Sequence, residues 1–270
     1  MIAVGDPCQA IYSFRGADSE SIQHIKDEFN AKELPLSVSY RCPKSVVAVA
    51  KQYVPYIEPS EQAPEGKVSV LDEWNSEVFL PTDGVICRNS APLIDLAFRL
   101  LKHGRACKVL GRDIGQGLVR LIKKMDADTV EELEEKLATY QGRECQKLMA
   151  KGKEEQAAAI EDRVATIMIF CDQLEESHRT VDHLIERIER LFTDDPAGVL
   201  TLSTVHKAKG LEYDRVFILN PELMPSRYAR QAWQVQAERN VIYVAVTRAK
   251  SELFYCSLKD WTERKEAVNA

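Results

Sequence analysis

Residues 200–219 read LTLSTVHKAKGLEYDRVFIL. Alternating β-formers, Leu200, Leu202 and Thr204 against Thr201, Ser203 and Val205, predict a strand. A polar knot follows, His206-Lys207-Ala208-Lys209-Gly210-Leu211-Glu212, and a second strand is predicted over residues 216–219. Polar residues at the end of a parallel strand, punctuated by one glycine, lie where α/β sheets place ligand sites. By composition alone the better reading is an ordinary connection with solvated lysines. The rest of the chain changes those odds.

The 270 residues are enough for one large or two ordinary domains with a real core. At 45% hydrophobic and 29% charged, the composition is that of a soluble globular protein. No apolar run approaches the ~18–20 residues that span a bilayer. The start, MIAVGDP, lacks the basic flank and apolar core of a signal peptide. Seven cysteines are scattered without a CxxC pair, which fits reduced thiols in a cytoplasmic protein and no zinc site. A net charge of −6 argues against a surface that grips nucleic acid all over. A confined groove is still open to it.

Residues 1–4 look like the end of a strand running into the turn Gly5-Asp6-Pro7. In VGDPCQAIYSFRGAD, residues 4–18, Gln9 suits a phosphate oxygen or a water. Tyr12 and Phe14 offer flat faces to unpaired bases, and Arg15 a phosphate contact. Read alone, the two rings would be core aromatics. Ser19 is placed to cap a short amphipathic helix carrying Ile22, Ile25 and Phe29. LPLSVSYRCP, residues 34–43, predicts a strand ending in Tyr40-Arg41, and Pro43 opens a helix to about residue 54. Strands over 67–71, 84–87 and 106–110, with a helix over 91–103, begin an α/β sheet. Arg88 and Asn89 end one of those strands and are weak candidates for backbone contacts to DNA. Residues 115–195 read as helix only. Thr129 with Glu132 forms a capping box, apolar stripes follow, and Thr180 caps the last helix. The loop over 220–228 is expected to be mobile. A helix is predicted over 231–250 with residues 241, 244, 245 and 248 on one face, then a closing strand over 253–257 and a frayed tail from Trp261.

Four of these segments together resemble the UvrD/Rep/PcrA-like superfamily 1A DNA helicases. VGDPCQAIYSFRGAD is similar to their motif III, Tyr40-Arg41 to motif IV, TVHKAKGLEYDRV to motif V and QAERNVIYVAVTRAK to motif VI. The resemblance implies a RecA-like parallel-sheet fold of the P-loop NTPase type with an all-helical insertion. It divides the chain into the end of a first RecA-like lobe (1–33), the first part of a second RecA-like domain (34–117), a helical insertion (118–196), the second part of that domain (197–260) and a tail (261–270). It assigns Gln9, Arg41, Arg248 and Gly210 to the phosphates of ATP, Tyr40 to the adenine and Glu212 to the ribose. Arg41 and Arg248 would meet the γ-phosphate, where charge develops in the transition state. Tyr12, Phe14 and Arg15 would meet bases and backbone, with Thr204 and His206 on DNA phosphates.

No GxxxxGK[ST] run occurs in the sequence, and no acidic Mg²⁺-binding run precedes residues 4–18. The expectation is therefore the C-terminal motor part of an ATP-dependent helicase that moves 3′ to 5′ on single-stranded DNA and unwinds duplex. ATP and Mg²⁺ are the implied ligands, with the Mg²⁺ ligands on a first lobe outside this chain. That lobe and single-stranded and duplex DNA are the implied partners, and the chain alone is not expected to hydrolyse ATP. DNA repair or replication is the implied setting. The alternative is a non-enzymatic remnant lobe that binds single-stranded DNA or a partner protein.

Overall fold

A computed structural model describes residues 2–11, 21–193 and 198–263, the side chain of residue 193 excepted. Its centre is a seven-stranded sheet in which every pairing is parallel. Two short strands outside it, β1 (Val38–Ser39) and β2 (Glu58–Pro59), pair in parallel. The main sheet holds β3 (Lys67–Leu71), β4 (Gly84–Cys87), β5 (Cys107–Leu110), β6 (Phe192–Thr193), β7 (Leu200–Thr204), β8 (Tyr213–Leu219) and β9 (Ala249–Cys256), in the spatial order β3-β9-β8-β4-β7-β5-β6. β4 and β7 are buried along their whole lengths. Such continuous burial is what a parallel sheet with helices on both faces requires.

The helices are α1 (Ser21–Glu28), α2 (Lys44–Ala50), α3 (Ala91–Lys102), α4 (Arg112–Met125), α5 (Val130–Met149), α6 (Glu154–Asp172), α7 (Val181–Leu191), the single turn α8 (Val205–Ala208) and α9 (Ala232–Val246). Two apolar cores lie against the sheet. One joins α3, α4, α5, α6 and α7 to strand residues such as Val85, Leu202 and Phe217. The other joins α2, α8 and α9 to Ile86, Val216 and Ile218, and takes in Ile11 from the N-terminal segment. Alternate residues of one strand thus feed opposite cores, as the period-2 pleat dictates.

The helical stretch forms as its caps foretell. The Thr129 hydroxyl accepts the Glu132 amide at 3.2 Å, while the Glu132 carboxylate reaches back to the amide of Asp128 at 2.8 Å. The Thr180 hydroxyl accepts the His183 amide. Val130, Leu133 and Leu137 are fully buried, as are Ile167 and Cys171. α4 runs without a break through residues 117 and 118.

Several expectations are corrected. Residues 2–4 form no strand, and Ile2 and Val4 lie in solvent. The strand expected over residues 34–43 shrinks to the two residues of β1, because Leu34 and Leu36 find nothing to pack on. α1 buries none of its residues. The helical region contains β6, which pairs with β5. α9 stops at Val246, so Arg248 lies beyond the helix, where it folds back to bond the Val244 carbonyl. β9 is longer than expected and lies inside the sheet between β3 and β8, so it does not close an edge. The 220–228 loop is tied down, since the Tyr228 hydroxyl and the Arg227 guanidinium both bond Glu161 of α6. Trp261 is no frayed end: it packs edge-on against Trp74 at 5.0 Å, and Thr262 donates its amide to the Trp74 carbonyl.

Candidate functional site

Two groups of polar side chains collect beside the sheet. The first gathers Arg41, Glu212, Thr247 and Arg248, which are distant in sequence. Arg41 follows β1, and its Nε donates to Glu212 Oε2 at 2.6 Å across 171 residues. Its Nη1 approaches the Thr247 carbonyl at 3.5 Å. Arg248 is 2% exposed. Its Nε donates to the Val244 carbonyl, Nη1 to the Leu211 carbonyl and Nη2 to the Thr247 hydroxyl. No carboxylate pairs with it among the described residues, and burial, then the Arg41 charge, pull its pKa below the ordinary guanidinium value. A guanidinium carries five N–H donors, so this one keeps donors beyond its three protein bonds. A buried cation without a carboxylate, beside a second arginine, is a place that an anion would stabilise.

Tyr40 stands next to Arg41 with 87% of its surface exposed, leaving its ring open to a planar ligand. Gly210, two residues before Glu212, has φ +93°, and a side chain there would meet nothing. Glycine is thus required at residue 210 by the backbone's left-handed turn and not by crowding. Gln9 comes near through Lys209, whose Nζ donates to the Gln9 carbonyl at 2.8 Å. The Gln9 amide itself donates to Asp6 Oδ2 at 2.7 Å. Asn240 of α9 donates to the carbonyls of Pro7 and Ala10, so the segment 2–11 is fastened to α9 and to the loop after β7. Tyr243 lies beneath this junction, where burial, followed by the nearby Asp6 and Cys8, pushes its pKa up to about 12.

The second group lines a cleft of about 900 Å³ between the C-terminal ends of β4 and β7 and the helices α4 and α6. Thr204 and His206 open onto it, with Arg88 and Asn89 beside them. The Thr204 hydroxyl caps α8 by accepting the Lys207 amide at 3.4 Å. His206 Nε2 lies 3.1 Å from the Ile11 carbonyl; a carbonyl only accepts, so this nitrogen carries the proton. Arg88 spends its fork on Glu238 of α9, with Nη2 at 2.7 Å and Nε at 3.1 Å from Oε1. Burial would lower the Arg88 pKa, but the Glu238 hydrogen bond and charge outweigh it and raise it. Glu238 also accepts the Ser226 amide, which ties the 220–228 loop to the same pair.

Of the residues singled out from sequence, Arg41, Glu212 and Arg248 converge, Tyr40 and Gly210 flank them, and Thr204 and His206 share the cleft. Tyr12, Phe14 and Arg15 lie outside the described residues. Sequence reading passed over Thr247, Lys209 and Asn240. Thr247 and Lys209 stand beside residues already singled out. Thr247 acts partly through its carbonyl, as does Gln9 in receiving Lys209, and a carbonyl has no residue signature.

The sequence profile described as "UvrD-like helicase C-terminal domain" matches residues 15–260. A probable DNA helicase of Mycoplasma pneumoniae is 25% identical over 265 residues, which cover 96% of this chain and 38% of that protein. The ATP-dependent DNA helicase PcrA of Bacillus subtilis is 40% identical over 82 residues, 29% of this chain and 11% of PcrA. A probable DNA helicase II homolog of Mycoplasma capricolum is 48% identical over 63 residues, 22% of this chain and 9% of that protein. The chain therefore spans a minor part of the length of each of these relatives. With a profile match that takes in β1 through β9 and both polar groups, this chain belongs to the UvrD-like helicase C-terminal domain family.

Proposed function

We propose that this chain is the second motor lobe of an ATP-dependent DNA helicase that moves 3′ to 5′ on single-stranded DNA. The observation that carries the reading is the Arg41–Arg248 pair, one arginine buried with no carboxylate paired to it among the described residues and the other at its side. In that role Arg41 and Arg248 direct guanidinium donors at the γ-phosphate, whose equatorial oxygens carry the transition-state charge. Glu212 releases Arg41 and turns to the ribose hydroxyls. Tyr40 stacks on the adenine, and Gly210 and Gln9 approach the phosphates. Thr204 and His206 hold the strand's phosphates, with Tyr12, Phe14 and Arg15 against its bases and backbone.

No phosphate-cradling P-loop sequence occurs here, and in this reading a first lobe supplies it. Mg²⁺, when bound, neutralises phosphate charge. In this reading the residues that hold it belong to the same first lobe. The two-part second domain (34–117 and 197–260), with residues 118–196 inserted, is the corresponding division of the chain.

The test joins this chain to a lobe carrying the P-loop and follows ATP hydrolysis stimulated by single-stranded DNA. Arg41→Ala and Arg248→Ala should each lower kcat by about 10³-fold or more, with smaller changes in KM. An unchanged rate for Arg41→Ala would remove it from the γ-phosphate.

A further inference from the structure

The cleft that holds Thr204 and His206 does not end at the sheet. Its far wall is built by Arg120, Leu121 and Lys124 of α4, Tyr140 of α5 and Arg163 of α6. Lys124 and Tyr140 also line a second depression of about 320 Å³, which continues along α4 and α5 past Thr139 to Arg143. The two hollows meet at these residues, giving a trough from the sheet edge onto the helices that the Lys124–Tyr140 contact divides. Arg120 and Arg163 are exposed, and neither has an ion-pair partner among the described residues. Of the acidic groups on the wall, Asp113, Glu161 and Asp162 are engaged, whereas Glu155 and, in the second depression, Glu135 have no ion-pair partner among the described residues. Asp113 holds Lys207, Glu161 holds Arg227 and Tyr228, and Asp162 accepts the amides of Ser90 and Ala91. Lys124 Nζ rests 4.9 Å from the centroid of the half-buried Tyr140 ring.

We infer that the helices α4–α6 extend the path of a single DNA strand. Arg120, Arg163 and Lys124 contact successive phosphates, and Tyr140 stacks on a base once Lys124 turns from its ring to the backbone. Basic groups tracking the backbone with an aromatic face between them are the general means of holding single strands without reading sequence. The inference rests on the strand contacts proposed at Thr204 and His206. It adds a role for the helical region, which those contacts do not use.

The test is fluorescence anisotropy of a labelled oligothymidylate of about 16 nucleotides with the whole chain at low salt. Arg120→Ala combined with Lys124→Ala should weaken binding about 10-fold or more and make the log K against log salt slope shallower by about 1.4. Tyr140→Ala should weaken it about 5-fold or more while Tyr140→Phe leaves it unchanged. Both arginine and lysine positions are exposed, so circular dichroism should show all variants folded. Wild-type affinity and slope in the double variant would overturn the trough, as would tighter binding of a duplex of the same length. His206→Ala separates the two readings. Loss there with no loss in the double variant leaves the sheet-edge contacts standing and the trough refuted, whereas the reverse pattern refutes the sheet-edge contacts. The ATP-hydrolysis test of Arg41 depends on neither outcome.

Discussion

At the scale of single residues, the two arginines of the proposed nucleotide site differ in what else they do. The ion pair of Arg41 with Glu212 is well exposed, with side-chain accessibilities of 37% and 45%. Exposed pairs contribute about 0–1 kcal/mol, so Arg41→Ala should leave the urea midpoint nearly unmoved while hydrolysis collapses. Arg248 is a structural element as well as a candidate catalytic group, because its fork holds the Val244 and Leu211 carbonyls and the Thr247 hydroxyl together. A lysine keeps the charge but not the fork. Arg248→Lys is expected to lower unfolding free energy by about 1–3 kcal/mol as buried acceptors lose donors. Equal stability of the variant in a urea titration would show that the fork is dispensable.

At the scale of elements, the parallel strands leave little room. Gly84 starts β4, and a methyl group added there would sit 2.4 Å from the Tyr213 ring. Gly84→Ala should therefore cost about 1–3 kcal/mol through overpacking, read as a lowered melting temperature with unchanged secondary structure. The join between α4 and the loop after β7 is electrostatic. Lys207 Nζ lies 2.6 Å from Asp113 Oδ1 in the first turn of α4. Partial burial alone would raise the Asp113 pKa, but the Lys207 hydrogen bond and charge and the helix's first amides bring it below the ordinary 3.8. A depressed folded-state pKa means that this contribution is complete above 3.8 and disappears as pH falls through the lower folded value. With Asp113 55% exposed, solvent screening keeps it to about 1 kcal/mol or less. Asp113→Asn should lag wild type at pH 7 and converge with it in acid. A stability gap that is constant down to acid pH would exclude the ion pair as its source.

At the scale of the whole molecule, one carboxylate docks the helices onto the sheet domain. Asp162 of α6 accepts the amides of Ser90 and Ala91 at 2.9–3.1 Å, satisfying donors at the start of α3 that the helix cannot pair itself. Asp162→Ala should cost about 1–3 kcal/mol and speed amide exchange at residues 90 and 91. Unaltered exchange there would mean that the contact does not hold the helices. The same helices keep Glu161 against Tyr228 and Arg227, so loosening them should also release the 220–228 loop.

Much of this architecture was legible in the residues themselves. The strand over 84–87 is apolar, the mixed strand over 67–71 is turn-bounded, and the caps at Thr129 and Thr180 act within a few residues of themselves. Motif wording named Arg41, Glu212 and Arg248 together, and the fold brings them to one place although no local pattern links them. Tertiary structure alone decided the rest. The order of strands, with β9 between β3 and β8, follows from which apolar faces can be covered at once, and periodicity is blind to it. The end of α9 at Val246 is accompanied by contacts that periodicity does not show, Arg41 on the Thr247 carbonyl and Arg248 on that of Leu211. The trough of Arg120, Lys124 and Tyr140 is likewise invisible in sequence, since it exists only where α4, α5 and α6 meet the sheet edge. Short-range hydrogen bonds and burial patterns are written in neighbouring residues, whereas long-range packing is a property of the assembled chain.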